Sequence, residues 1–370
     1  MKNKQNSIFD GNAWDEETAC IGKNGGSFTL TRDSKIADGF AENVELIYSA
    51  LIKRDGTADT LVYPLYFSAR HYTELSIKVI TRIANEVQRI RSGVKSSIPR
   101  IHDICSLYPT MENLLLKTDR RFKEALKECQ DILPLLNDFS EDKQGDLFRY
   151  TFGKTDADVH LDQYSRFSTS LFVEHFRKVR MTLDYLLEIT ERILDEYCQT
   201  KSFTSMLSRN DLIMMTSMLS KGKTEQEICS YFGLSSSEYL ERKKLINSLP
   251  FLSIQVGKEI ILHSFSQATV VATKLIISAD RRSDHLVNSA ELVYPMNKED
   301  IPYLLAFSAL MNGYEFAETY NSLKDNFKKS LALSNPMYIL GYIRDGEDLK
   351  KGMLRCGQVT MTKLFFSDIS

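Results

Sequence analysis

The 370 residues carry 47 basic and 49 acidic side chains, a net charge of −2, so any nucleic-acid role needs a local basic patch rather than a global field. An apolar share of 43%, including 20 Phe and 17 Tyr, excludes a disordered chain and supplies a large core, and the length suits two or three domains. The cysteines, scattered from Cys20 to Cys356 with no C-x-x-C pair, exclude a closely spaced zinc site and read as reduced thiols of a cytosolic protein.

With only 8 Pro and 17 Gly, long helices are favoured over turn-rich β architecture. Residues 1–32 read as a loosely ordered segment with a Gly25-Gly26 pair and a short β-like patch at Phe28 to Leu30. They contain no apolar stretch of the signal-peptide kind. Nowhere does the chain approach the roughly 18 uninterrupted apolar residues of a membrane span. The expectation is a soluble, cytoplasmic protein. From Asp33, a candidate N-cap, a helical pattern runs to Lys53 and is closed by Asp55-Gly56.

The next helix is expected over Pro64 to Arg91, with Pro64 in its first turn, where a missing N–H costs nothing. Leu65, Ala69, Tyr72, Ser76, Val79, Ile83, Val87 and Ile90 follow one another at steps of three or four and make one buried face. Arg70, Glu74 and Lys78 form an i, i+4, i+8 stripe on another side, flanked by Phe67, Leu75 and Ile77. Charges so flanked by apolar residues imply a helix covered on most sides, with its charges paired internally. After a loop at Gly93 to Pro99 comes His102-Asp103. One or two helices follow over 111–136. A polar loop, Asp138 to Asp158, contains Phe148-Arg149-Tyr150. A long amphipathic helix over Ser165 to Cys198 then closes an antiparallel bundle.

The pattern changes near residue 203. A helix over Asp211 to Leu219 is followed by two capping boxes, Thr224-x-x-Glu227 and Ser235-x-x-Glu238, each opening a helix. The first of these helices stops at Gly233 and the second before Pro250. Phe251 to Val256 and Glu259 to Phe265, joined by Gly257-Lys258, read as a hairpin. Three helices and a hairpin are the order of a winged helix-turn-helix module over 203–265. The helix carrying Arg242, Lys243 and Lys244, with Lys258 on the hairpin, would contact nucleic acid. Glu238 and Glu241 dilute that surface, and a module of this kind also serves as a protein–protein contact. A polar linker, Ala279 to Asp284, leads to helices near 298–312 and 314–332 and to strand-like runs at Tyr338 to Ile343 and Gln358 to Phe366. Residues 286–370 are thus expected to be mainly helical with some β.

The segment Tyr63-Pro64-Leu65-Tyr66-Phe67-Ser68-Ala69-Arg70-His71-Tyr72-Thr73-Glu74-Leu75-Ser76-Ile77-Lys78 resembles the second helix of bacterial HEPN-like proteins, whose pattern is P-x-x-F-L-x-R-H-x-x-E-L-x-L-K. His102-Asp103 and Phe148-Arg149-Tyr150 follow in the order that family shows, so the resemblance covers about residues 33–198. It implies a helical bundle over 33–200 that often dimerises or joins a partner protein. It also implies a setting in bacterial toxin–antitoxin, CRISPR or anti-phage defence, and binding or cleavage of RNA without metal or other cofactor. The family's catalytic signature is an Arg and a His with four to six residues between them, which serve a phosphate and the protons around an attacking 2′-hydroxyl. None of the six histidines meets that spacing: three residues separate Arg281 from His285 and eight separate Arg166 from His175.

The candidate catalytic residues are therefore Arg70, His71, Glu74, Lys78, His102 and Arg149. Arg70, His71, Glu74 and Lys78 read either as a phosphate or acid–base cluster or as an ion-pair network that sets bundle geometry. His102 with Asp103 reads either as a proton-transfer pair or as a helix start. Three readings of function stay open: an RNA-binding or RNA-cleaving protein, a non-catalytic interaction or regulatory subunit, and a DNA-binding regulator. No P-loop, G-x-G-x-x-G, H-E-x-x-H or G-x-S-x-G occurs, so nucleotide hydrolysis, zinc proteolysis and serine esterase chemistry have no motif here.

Overall fold

The structure is a computed structural model describing Ala19 and residues 32–94, 101–150, 161, 164–280, 290–311, 316–331, 336–343 and 345–367. It is mainly helical, and no strand occurs among the described residues. The Gly25-Gly26 pair, the Phe28 to Leu30 patch and the Arg281 to His285 segment lie outside the described residues. Two compact units are formed, one within Met1–Gln88 and Lys95–Glu191, the other within Arg89–Val94 and Arg192–Ser370. No helix among the described residues is long and apolar enough to cross a membrane.

The first unit is built on α1 (Arg32–Lys53), α2 (Ala58–Ser92), α3 (Ile104–Thr118), α4 (Phe122–Glu128), the short α5 (Leu133–Leu136) and the N-terminal part of α6 (Thr169–Gln199). α1 ends on Lys53, and Arg54 adopts a left-handed φ of 63° to turn the chain. α2 begins six residues before the expected start. The Thr57 carbonyl accepts the Leu61 N–H at 3.0 Å, and Asp59 sits in the first turn, where a carboxylate complements the helix dipole. Pro64 therefore falls inside the helix rather than opening it. Leu65, Ala69, Tyr72, Ser76, Val79, Ile83 and Val87 are all buried, along with Ile77 and Ile80, so α2 is enclosed on more than one side. α6 buries Phe172, Val173, Phe176, Val179, Leu183 and Leu186. Leu171 is 52% exposed, whereas its neighbour Phe172 is buried.

The second unit holds two cores. α7 (Arg209–Ser220), α8 (Glu225–Phe232) and α9 (Ser236–Ser248) enclose Leu212, Met215, Ile228, Leu234, Tyr239 and Ile246. Both capping boxes form as expected, and Gly233 ends α8 with φ 69°, the left-handed conformation glycine adopts without strain. The wing does not form. Pro250–Gln255 is a helix, α10, whose Leu252 enters the first core while Phe251 and Ile254 enter the second.

Glu259 to Phe265 is neither helix nor strand. The buried amide of Gln358 stands in for a partner strand. Its Oε1 accepts the Leu262 N–H at 3.1 Å, and its Nε2 donates to the Ile260 carbonyl at 2.6 Å and to the Cys356 carbonyl at 2.9 Å. A side chain thus satisfies the groups a hairpin would have paired.

The second core lies among α11 (Gln267–Asp280), α12 (Ile301–Ala309), α13 (Tyr320–Leu331), α14 (Pro336–Ile343), α15 (Gly346–Arg355) and α16 (Val359–Phe366). The two runs expected to be strands, Tyr338 to Ile343 and Gln358 to Phe366, are the helices α14 and α16. Closest approach falls at Gly352 of α15, where a Cβ would stand 1.7 Å from the Phe307 carbonyl oxygen, so only glycine fits.

Candidate functional site

The sequence places Arg70, Glu74 and Lys78 one turn apart on α2, and burial does the rest. Arg70 is 2% exposed. Its Nη1 donates to Glu74 Oε2 at 2.8 Å, its Nη2 to the His102 carbonyl at 2.7 Å and its Nε to the Asp142 carbonyl at 3.1 Å, with Asp142 Oδ2 also at 3.1 Å. One guanidinium thereby ties α2 to the chain just before α3 and to the loop after α5. Asp142 is buried, and its other carboxylate oxygen accepts the backbone N–H groups of Asp146 and Leu147. Gly145 closes that turn with φ 78°, and a Cβ there would stand 2.8 Å from Arg70 Nη1.

Glu74 is the hub. Its Oε1 accepts Lys78 Nζ at 2.6 Å and lies 2.8 Å from His102 Nδ1, while Oε2 takes Arg70. Burial by itself would raise the Glu74 pKa. Hydrogen bonds from Lys78, Arg70 and His102 and the Lys78 charge outweigh it and hold the carboxyl below the ordinary glutamate value. His102 is the exposed member, its side chain 56% accessible with the ring anchored by Nδ1 to Glu74. Asp103 is the N-cap of α3, accepting the Cys105 N–H at 3.3 Å and the Ser106 hydroxyl. The His102-Asp103 pair is thus divided between two tasks.

His71 lies beside this network against aromatic rings, stacked on Phe67 (5.4 Å between centroids, 14° between planes) and edge-on to Phe40 at 4.5 Å. Burial lowers its pKa, and the Arg70, Lys78 and Arg149 charges add to that against the opposing pull of Glu74. Arg149 lies over the Phe67 ring at 5.2 Å and the Tyr150 ring at 4.9 Å, and donates to the Tyr150 hydroxyl at 2.7 Å. Phe148 stacks on Tyr66 at 3.9 Å and so pins the loop that carries Arg149. The six candidate residues therefore assemble in one region, but in two layers. Arg70 and Glu74 lie inside, and Lys78, His71, His102 and Arg149 lie at or towards the surface.

No family model, no curated protein and no solved structure matches the chain. The meaning of the region rests on its chemistry alone. Arg70 commits each of its nitrogens to a protein oxygen and is not available to a phosphate. Among the described residues no group of three or more His, Cys, Asp or Glu side chains is arranged to hold a metal ion.

No local pattern in the sequence assigns a role to Asp142 or Gly145, both integral to the Arg70 network, because Asp142 lies 72 residues along the chain from its partner in a polar loop.

In the second unit the four residues expected at a nucleic-acid surface diverge. Arg242 keeps a side chain only 13% exposed, pairs with Glu241 at 2.9 Å and buries its Nε without a hydrogen-bond partner. Lys243 lies 5.7 Å over the Tyr239 ring, and Lys244 is exposed on the same helix. Lys258 is exposed in the turn after α10, not on a hairpin.

Proposed function

We propose that this chain is a nucleic-acid-associated protein in which a HEPN-like helical module precedes a helix-turn-helix-like module, and that the first binds RNA through His102, Lys78, His71 and Arg149. The observation carrying this reading is the Glu74-anchored, outward-facing His102 imidazole with the Lys78 ammonium on the same carboxylate oxygen. A ring held at Nδ1 leaves Nε2 as its outward nitrogen, which suits it to donate to a phosphate or to move a proton at a 2′-hydroxyl. Arg149, held over the Phe67 ring, adds a second cation for the phosphate backbone of single-stranded RNA. The setting is a bacterial anti-phage or toxin-type system, on the strength of the helix motif.

The test is binding of a fluorescein-labelled single-stranded RNA, followed by anisotropy in EDTA at low salt, with a denaturing gel of the same samples. The wild-type protein is expected to bind with a negative salt slope. His102→Ala and Arg149→Ala are expected to weaken binding without changing the melting temperature. Loss of RNA bands that His102→Ala abolishes would add cleavage to binding. No binding at low salt would overturn the reading.

The burial of Arg70 favours a second reading, a non-catalytic interaction or regulatory subunit, because it removes the one motif cation that could have neutralised a phosphate deep in the site. That reading predicts intact RNA together with a stable complex with a partner protein or a second copy. A third, DNA binding through Lys243 and Lys244, predicts salt-sensitive duplex binding lost in their double Ala variant.

A further inference from the structure

Beside the loop that carries Arg149, the first unit holds an open cavity of about 670 Å³ that the RNA reading does not use. This volume falls within the range of small-molecule sites. Its floor is Tyr66, both faces of which are covered, by Phe148 at 3.9 Å and Phe172 at 5.3 Å, with its hydroxyl donating to the Asp138 carbonyl. Tyr66 therefore shapes the cavity without offering a free ring face. Among the described lining rings, Tyr63 is 46% exposed and Phe167 39% exposed, with centroids 6.1 and 5.8 Å from that of Phe148, and Tyr164, 48% exposed, also lines the cavity.

The charge of the lining is one-sided. Asp59, Asp138 and Glu141 contribute three carboxylates against the single cation Arg166 among the described lining residues. Asp138 is held by His175 Nδ1 at 2.8 Å, whereas Asp59 and Glu141 make no ion pair among the described residues. Open aromatic faces attract a cation through the ring quadrupole, and uncompensated carboxylates reinforce it. A phosphate, a carboxylate or an RNA strand meets repulsion in the same place.

We propose that this cavity is a binding site for an organic cation, an amine or amidine carried on a flat apolar body, with the cationic head at Glu141 and Asp138 and the body against the exposed lining rings Tyr63 and Phe167. The site is independent of the RNA reading, since it lies on other residues and takes the opposite charge.

Benzamidine, benzyl alcohol and benzoate share a ring and differ in the charge of the head, so they serve as matched probes. Each is titrated into the full-length protein and followed by ligand-observed saturation-transfer NMR. For fragments of this size a dissociation constant on the order of 1 mM is expected for benzamidine. Benzyl alcohol is expected to bind about tenfold more weakly, and benzoate not measurably. Glu141→Gln and Tyr63→Ala, both at exposed positions, are each expected to weaken benzamidine about threefold or more at unchanged melting temperature. Equal binding of the three probes, preference for benzoate, absence of benzamidine binding, or benzamidine binding indifferent to both substitutions would overturn the proposal.

Discussion

Replacing Glu74 with Ala removes one carboxylate and leaves its three partners, Arg70, Lys78 and His102, in different positions. Lys78 and His102 reach solvent by rotating away, since their side chains are 16% and 56% exposed. Arg70, at 2%, has no such escape and keeps only Asp142 as a counter-charge, with Oδ2 at 3.1 Å. Breaking one side of a buried ion pair costs about 3–5 kcal/mol, and the surviving Asp142 contact places Glu74→Ala near the lower end, about 3 kcal/mol. Arg70→Met takes the cation from buried Asp142 and one of three partners from Glu74, and is expected to cost about 3–5 kcal/mol. The double variant Arg70→Met with Glu74→Met is expected to cost about 1–3 kcal/mol less than the sum of Arg70→Met and Glu74→Met, because both single changes delete the same buried Arg70–Glu74 pair.

Because the chain forms two units, the loss is read within the first unit alone. The suitable assay is hydrogen exchange by mass spectrometry in increasing urea, read on peptides from α2 and from residues 138–150. Additive costs, or a Glu74→Ala loss below about 1 kcal/mol, would refute the view that this network holds the bundle.

Acid tests the same group. The folded Glu74 pKa is lowered, so the unfolded chain takes the proton first. The stability contributed by Glu74 is therefore complete above the ordinary glutamate value of about 4.3 and is lost as the pH falls through the lower folded value. Glu74→Gln should flatten that part of the α2 acid profile.

Gly145→Ala imposes both a left-handed φ on a residue with a Cβ and a 2.8 Å approach to Arg70 Nη1. It should cost about 2 kcal/mol or more in urea unfolding of the first unit, and a change within about 0.5 kcal/mol would contradict the geometry. Gln358→Leu leaves the Leu262 N–H and Ile260 carbonyl without their partner and should destabilise the second unit by about 1–3 kcal/mol, with faster exchange at Leu262. His71, its pKa lowered by burial against Phe67 and Phe40, should titrate in NMR below the ordinary histidine value of about 6.5, and Phe67→Ala should move it upward. Because the folded pKa is the lower one, the contribution of neutral His71 to stability is present above about 6.5 and is lost as the pH falls. A His71 midpoint unmoved by Phe67→Ala would refute the assignment to ring burial.

Several local features were legible in the sequence because their causes are local. The buried stripe of α2 follows from 3.6-residue periodicity, and the capping boxes at Thr224 and Ser235 need only a partner three residues on. The assembly of Arg70, Glu74, Lys78 and His102 was half visible, as a charged stripe flanked by apolar residues. What that stripe holds was not visible, because Asp142 and Gly145 reach Arg70 through a loop far along the chain. The expected strands failed for a related reason. Phe251 to Val256 and Tyr338 to Ile343 are rich in residues that favour either state, and tertiary contacts made the choice. α10 becomes a helix whose neighbouring residues enter two different cores, and Gln358 satisfies the segment after it. Sequence alone determined helix content, caps and the charged stripe, which depend on neighbours within one turn. Which charges are buried, which histidine faces solvent and where an acidic aromatic cavity opens depend on residues tens of positions apart, and only packing decided them.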